Sequence, residues 1–382
     1  MRVLQVLGTV GLGGAESRVM DIYRHMDREK IQFDFLVTEG TVDHYSGEIE
    51  SLGGRVYHLP SFRVYNYFKY VKACRRFFSE HVKDGESEYA AVHGHMTSTA
   101  AIYLPIAKEY KVPLTIAHAR SAGVDPGIKG KVTRFLRRNL KKKCDLMLAC
   151  SDEAGDSVFG KDSRYKFVPN AVDMSEYTYD EIARFEVRQR YDIGDKLLVG
   201  HVGSFRYAKN HEFILEVFAC LHKSYPNSVL MLVGDGELRS ATENKAAELG
   251  ISDSVIFTGD RKPVSMYYQA FDVLLFPSRY EGMPGTVVEA QASGLPCVIS
   301  SSVTEQVIFT DRVRRLPLSL SANRWADAVV KAWTDSGKTA ADRAIHRGNV
   351  RALSGGPLSS TIYDVRQQVG FYEKLYEEAD IW

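Results

Sequence analysis

The feature that most limits how this chain can fold is a rhythm. Short apolar runs alternate with amphipathic segments, and the series is played twice. In the first pass Val3–Leu7, Phe33–Val37, Ala90–His93, Leu114–Ala117 and Leu146–Ala149 read as strands. Helical spacing fills the gaps over Ala15–Met26, Tyr67–Glu80, Ser98–Glu109, Lys129–Lys142 and Asp152–Phe159. The second pass predicts strands at Leu197–Val202, Ser228–Val233, Val255–Thr258, Val273–Phe276 and Cys297–Ser300. Its helices are His211–His222, Gly236–Leu249, Ser265–Ala270 and Thr286–Ser293. Strands joined through helices pair in parallel, so the class is α/β with two Rossmann-like halves. A length of 382 residues exceeds one ordinary α/β core and suits two.

Between the passes, Val168–Asp173 leads into a charged, tyrosine-rich stretch that ends at Asp195. The expected organisation is a first domain over 1–170, a connection over 171–195 and a second domain over 196–360. The last amphipathic stretch, Thr361–Glu378 within 361–382, is expected to cross back onto the first domain.

Net charge is +1, which gives no global electrostatic argument. Its distribution is uneven: residues 1–170 carry 26 Lys/Arg against 20 Asp/Glu, and the remainder 23 against 28. The positive half can face an anionic surface. Five cysteines, an odd number with no C-x-x-C pair, fit buried thiols in a reducing compartment. No signal peptide precedes the first strand, and no apolar run approaches ~18 residues. A cytoplasmic protein is expected.

The most informative segment is Phe276 to Ala290. Glu281 falls just past a predicted strand, Gly282, Met283, Pro284 and Gly285 make a tight loop, and Thr286 opens a helix that carries Glu289. In an open α/β sheet, ligands bind past the carboxyl ends of the strands. Free N–H groups at the helix start favour an anion. Two carboxylates eight positions apart can hold hydroxyls on either side of that anion, and a sugar nucleotide has hydroxyls on both sides of its diphosphate.

Other segments carry weaker signals. Gly11, Gly13 and Gly14 follow the first strand and open a helix, as in a dinucleotide loop, but Glu16 stands where a third glycine belongs. A plain tight turn explains them equally well. Gly203 is followed by Arg206 and Lys209 in a strand-to-helix loop, where cations can meet a diphosphate or simply be solvated. Gly234 and Gly236 suit turn geometry. His118 ends a strand, where it can bond a sugar hydroxyl, steady developing charge or serve structure alone. The structural reading is the better one for His93 and His95. No H-x-x-x-H pair or acidic cluster has metal-ligand spacing.

Taken in order, these segments resemble the retaining family 4 glycosyltransferases of GT-B fold, over nearly the whole chain. Glu281 and Glu289 match the family's E-x7-E element. The phrase Glu289 to Cys297 is similar to that of bacterial capsular and exopolysaccharide transferases. Gly13–Glu16, Ser151-Asp152, Val168–Asp173 and Lys209–His211 also match. The resemblance implies two lobes facing across a cleft, the first for the acceptor and the second for the donor. It implies Glu289 on the donor ribose, Glu281 on the transferred sugar, and N–H groups from Gly282 to Thr286 on phosphate and sugar. It also implies that Lys209 neutralises the leaving diphosphate, that His118 lies near the donor sugar, and that the Gly13-Gly14 loop borders diphosphate and acceptor. Members often have arginine right after the glycine of the Val-Gly element, where Ser204 stands here; Arg206 is expected to supply that charge.

The expected reaction is retaining transfer of a hexosyl or N-acetylhexosaminyl unit from a UDP- or GDP-linked sugar to a glycan or polyprenyl-linked glycan. The nucleotide sugar is a co-substrate, and no metal or other cofactor is expected. Retention normally implies a nucleophile beneath the ring, yet no second carboxylate offers itself, so front-face displacement is the implied route. Alternatives are a sugar-nucleotide epimerase, a nicotinamide dehydrogenase (which Glu16 opposes), or a non-catalytic sugar-nucleotide-binding partner of another transferase.

Lys129 to Lys143 holds eight cations and an apolar side made of Val132, Phe135, Leu136 and Leu140. Phe62–Phe78 mixes aromatic residues with Arg63, Lys69, Lys72, Arg75 and Arg76. Such a face can lie on an anionic membrane, here the inner face of the cytoplasmic membrane, or pack its apolar side into the core. Nucleic acid is not an expected partner, since no recognition motif accompanies the basic run.

Overall fold

The computed structural model describes residues 1–38, 43–123, 127–337, 345, 347–350, 352–353 and 356–378, the side chains of 128 and 129 aside. The chain divides into two compact units: 1–171 with 365–382, and 172–364.

The first unit opens with β1 (Arg2–Leu7), α1 (Gly14–His25), β2 (Gln32–Val37), α2 (Ser46–Ser51), β3 (Val56–His58) and α3 (Tyr67–Glu80). A small antiparallel hairpin, β4 (Val82–Lys83) and β5 (Glu86–Ser87), leads to β6 (Tyr89–Gly94). Then come α4 (Thr97–Glu109), β7 (Leu114–Ala119), α5 (Ile128–Arg137), β8 (Leu146–Ala149), α6 (Asp152–Phe159) and β9 (Lys166–Phe167). Seven strands form a parallel sheet in the order β3-β2-β1-β6-β7-β8-β9. The central strands are buried on both faces, because helices cover each side of a parallel sheet. The helix Val365–Glu378 belongs to this unit: Val365, Val369, Tyr372, Leu375 and Tyr376 complete the core built on β1, β2 and α1. Residues 379–382 of the expected return segment lie outside the described ones.

The second unit begins with α7 (Met174–Tyr177) and α8 (Glu181–Arg190). So the stretch 171–195, expected as a connection, is mostly helical and, from Val172 on, is part of this unit. Asp180 starts α8, its carboxylate accepting from the N–H groups of Ile182 and Ala183. There follow β10 (Leu197–Val202), α9 (His211–Ser224), β11 (Ser228–Val233), α10 (Arg239–Glu248), β12 (Val255–Gly259), α11 (Ser265–Ala270), β13 (Val273–Phe276), α12 (Gly285–Ala292), β14 (Cys297–Ser300), β15 (Val313–Leu316) and α13 (Ala322–Asp335). Six parallel strands run β12-β11-β10-β13-β14-β15. The core gathers Val199, Phe218, Leu232, Leu275 and Trp325, each fully buried. Each such side chain contributes about 1.5–3 kcal/mol.

In both sheets the order in which strands are added reverses at the same place, beside the first strand. In the first that place lies between β1 and β6, in the second between β10 and β13. These are the switch points at which open α/β sheets bind ligands.

Candidate active site

In the second unit, two loops flank the switch point. After β10 the chain passes Gly203 and Ser204, makes a short 3-10 turn over Tyr207–Lys209, and enters α9 through Asn210. Asn210 takes the left-handed conformation (φ 59°), which asparagine tolerates. Its Nδ2 donates to the Pro277 carbonyl at 3.1 Å, and Arg279 N–H donates to the Ala208 carbonyl at 2.8 Å. These two bonds join the β10 loop to the β13 loop. Gly234, at φ +136°, lies against Gly203: a Cβ there would stand 2.3 Å from the Gly203 carbonyl oxygen.

That joining sets the charged pair. Lys209 Nζ lies 2.7 Å from Glu281 Oε1, with both side chains mostly buried. The same ammonium sits 4.8 Å from the centroid of the Phe276 ring. Arg206, on the same loop, is exposed. Behind the pair are two buried histidines. His201 Nδ1 donates to the Leu275 carbonyl at 2.9 Å, and His211 stacks on Phe205 with ring centroids 4.0 Å apart. Burial, joined by nearby positive charge, holds His201 well below its usual range and pushes His211 down to about 3. Both rings are therefore neutral, and the positive charge beside Glu281 is that of Lys209.

Gly282, Met283 and Pro284 are buried, and α12 starts at Gly285 with Pro284 at its cap. The first N–H groups of the helix, at Gly285 and Thr286, have no preceding intrahelical carbonyl to bond. The Thr286 hydroxyl donates to the Val202 carbonyl at 3.2 Å, which ties the helix start to β10. Side chains of a helix lean toward its N-terminus, and the Glu289 carboxylate follows that rule: a Cβ on Gly285 would stand 3.7 Å from Glu289 Oε1. Glu289 is 7% exposed, and its other oxygen accepts from the Tyr268 hydroxyl at 2.6 Å. Burial, then Glu289 itself, keeps that phenol protonated and so a donor.

Three arginines brace this corner from behind. Buried Arg347 donates to the carbonyls of Tyr268, Gln269 and Ser293 at 2.8, 2.8 and 3.0 Å, which fastens α11 to the end of α12. Burial lowers its guanidinium to about 9. Arg184 and Arg188 hold Asp272 at 2.6 and 3.3 Å. Burial pushes that carboxyl up, but the two arginines outweigh it and hold it below the usual range. Tyr268 and Arg347 left no trace in the sequence reading, because their partners are carbonyls and a carboxylate set by tertiary packing.

In the first unit, Gly13 caps α1, Gly14 starts it, and both are exposed. His118 is fully buried on β7, with His93 and His95 beside it. Ring nitrogens of the three come within 4.8 Å of one another, an approach that sequence spacing did not reveal. They do not suit a cation: His93 Nε2 bonds His118 Nδ1 at 3.0 Å, His95 Nε2 bonds Gln5 at 2.9 Å, and the Arg120 guanidinium points at His95 Nδ1 from 3.3 Å.

The apolar side read for the basic helix, Val132, Phe135, Leu136 and Leu140, is divided in the fold. Leu140 is buried and Val132 and Leu136 half-buried, but Phe135 is 74% exposed. Arg137 turns inward instead, and burial lowers it to about 10. The Lys129 side chain lies outside the described residues. Tyr67, Ile102, Phe135, Leu136, Arg138 and Lys143 line a cavity of about 480 Å³. Tyr65 and Phe68 stand 90% and 85% exposed on the neighbouring segment. No helix among the described residues is long and apolar enough to cross a membrane.

Comparison with known proteins gives the family and the fold. Residues 13–171 match the model of the glycosyl transferase 4-like domain, and residues 183–347 that of glycosyl transferases group 1. EpsF of Bacillus subtilis (strain 168), assigned as a glycosyltransferase, is 34% identical over 98% of this chain and 96% of its own. The UDP-Gal:alpha-D-GlcNAc-diphosphoundecaprenol alpha-1,3-galactosyltransferase of Escherichia coli is 25% identical over 56% of this chain and 59% of its own. Among solved structures, Anabaena HepE in complex with UDP-glucose superposes with a TM-score of 0.78 at 17% identity, covering 97% of this chain and 99% of that one. The fold is thus GT-B, and the chain belongs to the group 1 glycosyltransferases, with a 4-like first domain.

Proposed function

We propose that this glycosyltransferase moves a hexosyl or N-acetylhexosaminyl unit, with retention, from a nucleotide-diphosphate sugar to a glycan or lipid-linked glycan acceptor in surface polysaccharide synthesis. The observation that carries the reading is the grouping of Lys209, Glu281 and Glu289 around the start of α12. Negative charge grows on the diphosphate as the glycosidic bond breaks. Lys209, Arg206 and the helix N-terminus stabilise it without calling on a metal. Lys209 must then trade Glu281 for phosphate, which leaves the Glu281 carboxylate to accept from the transferred sugar. Glu289, steadied by Tyr268, takes the ribose hydroxyls. His118 and the Gly13-Gly14 loop serve the transferred sugar and the acceptor, and the first unit is the acceptor-binding one.

Similarity to an enzyme that acts on a diphosphoundecaprenol-linked sugar supports a polyprenyl-linked acceptor. That acceptor places the work at the cytoplasmic face of a membrane. Exposed Tyr65, Phe68 and Phe135, among Lys69, Lys72, Lys131, Arg134, Arg138, Lys141 and Lys142, form a face suited to anionic lipid.

A thermal-shift screen of UDP- and GDP-sugars tests the reading. A ligand at a hundredfold excess over its Kd stabilises the native state by about 2.7 kcal/mol. One donor should stand out, and Glu289→Ala should weaken its binding by about 1.5–3 kcal/mol, as for a lost hydrogen bond to a charged group. Unchanged affinity in that variant removes the ribose role from Glu289.

A further inference from the structure

The buried histidines of the first unit belong to a longer series of hydrogen bonds. Arg120 Nε meets His95 Nδ1 at 3.3 Å; His95 Nε2 meets Gln5 Oε1 at 2.9 Å; Gln5 Nε2 meets the Tyr376 hydroxyl at 3.3 Å. That hydroxyl meets His93 Nδ1 at 2.7 Å, and His93 Nε2 meets His118 Nδ1 at 3.0 Å. His118 Nε2 has no hydrogen-bond partner. All the members but Arg120 are buried: Gln5, His93 and His118 at 1% exposure or less, Tyr376 and His95 at 5% and 8%.

The direction of the series follows from the chemistry of its first member. A guanidinium only donates. His95 Nδ1 must therefore accept, so a neutral His95 carries its proton on Nε2 and donates to the Gln5 carbonyl oxygen. The Gln5 amide N–H then faces Tyr376, whose buried O–H needs an acceptor and has His93 Nδ1 as its one other partner, so it donates there. His93 bears its proton on Nε2 and donates to His118 Nδ1. His118 is left with a proton on Nε2. With the Gln5 amide turned over every other bond could run the opposite way, but at Arg120 two donors would collide.

We propose that this one-way chain fixes His118 as its Nε2–H tautomer, with Arg120, His95, Gln5, Tyr376 and His93 as positioning residues. The outcome is a buried, neutral N–H that makes no hydrogen bond of ordinary geometry, suited to an oxygen acceptor such as a hydroxyl or ring oxygen of the transferred sugar. The proposal rests on the reading that His118 serves that sugar. Burial first, with Arg120 as a further cause, holds all three rings well below their usual range, which keeps them neutral. The Val168 carbonyl favours a proton on His118 without making a hydrogen bond of ordinary geometry to Nε2. The fourth member, Tyr376, comes from the helix Val365–Glu378, so this returning segment supplies a specific hydroxyl as well as apolar cover.

Long-range proton–nitrogen NMR spectra of the full chain, labelled with nitrogen-15 histidine, test this directly. Wild-type His93, His95 and His118 should all show the neutral Nε2–H pattern. Arg120→Leu removes the fixed donor and should let Nδ1–H forms of His95 and His118 appear. Tyr376→Phe should make the His93 and His118 patterns mixed, and should lower kcat with UDP-glucose as probe donor about tenfold while KM stays within about twofold. An Nδ1–H pattern at any of the three rings in the wild type overturns the proposal. So does a His118 pattern unchanged in both variants, each being folded by its own spectrum. Expected tautomers combined with full turnover of His118→Gln would leave the chain standing and sink the sugar-binding reading of His118.

Discussion

The two units fill the same topological position with opposite chemistry. Beside the first strand of the second unit, Lys209 and Glu281 carry full charges over two neutral histidines, and the carboxylates come from one stretch of chain. At the matching place in the first unit, three neutral rings, an amide and a phenol make a sealed chain assembled from residues up to 371 positions apart. An ionic site can be remade by each ligand that enters, because its charges exchange partners. A neutral chain of single-proton donors can only be intact, broken or reversed. The first arrangement suits binding a charged leaving group, the second suits presenting one proton in one orientation.

The contrast predicts different responses to acid, and this is the largest effect. Burial keeps His93, His95 and His118 neutral in the fold, while the unfolded chain takes up protons below pH ~6.5. Their contribution to stability is complete above that pH and is lost as the pH falls, by about 1.4 kcal/mol per pH unit for each ring. The second unit has two such rings, His201 and His211, so its loss is shallower. Amide hydrogen exchange between pH 7 and 5.5, corrected for intrinsic rates, should show β6 and β7 losing protection faster than β10 and β13. The reverse order would break the comparison.

Next in size is Lys209→Ala. It should lower turnover about 100-fold, the scale of losing one group that meets developing charge, with an unchanged melting curve. Near-normal turnover would mean that the leaving group is stabilised elsewhere. The smallest effect is expected for Tyr268→Phe, which frees one Glu289 oxygen but leaves the carboxylate in place. Nucleotide affinity should fall about fivefold, the weight of one ordinary hydrogen bond. A loss as large as that of Glu289→Ala would show that Tyr268 itself touches the nucleotide.

What the sequence disclosed follows the range of the interactions. The ten strands and most of the helices read from periodicity are present, because that signal lies within each segment. Short or half-buried β3, β9 and β15 offer no such pattern and were missed. Helix α13 was missed too, although its Trp325 is a fully buried part of the core. The Glu281–Glu289 element was legible because it is local. Tyr268, Arg347 and the Arg120–His118 chain were not, since only the folded backbone brings Gln5, His93 and Tyr376 together. On α5, helical spacing put Phe135 on one apolar side with Val132, Leu136 and Leu140; the fold leaves Phe135 exposed and turns Arg137 inward.

The helix Val365–Glu378 carries one more consequence. It fills the core of the first unit, yet the whole of the second unit stands between it and β9 in the chain. Growing from the ribosome, the earlier unit must wait with part of its apolar interior uncovered until residues 365–378 emerge, while the later one is already complete at residue 364. Domains usually finish in the order in which they are made; here the unit begun first is the last to close.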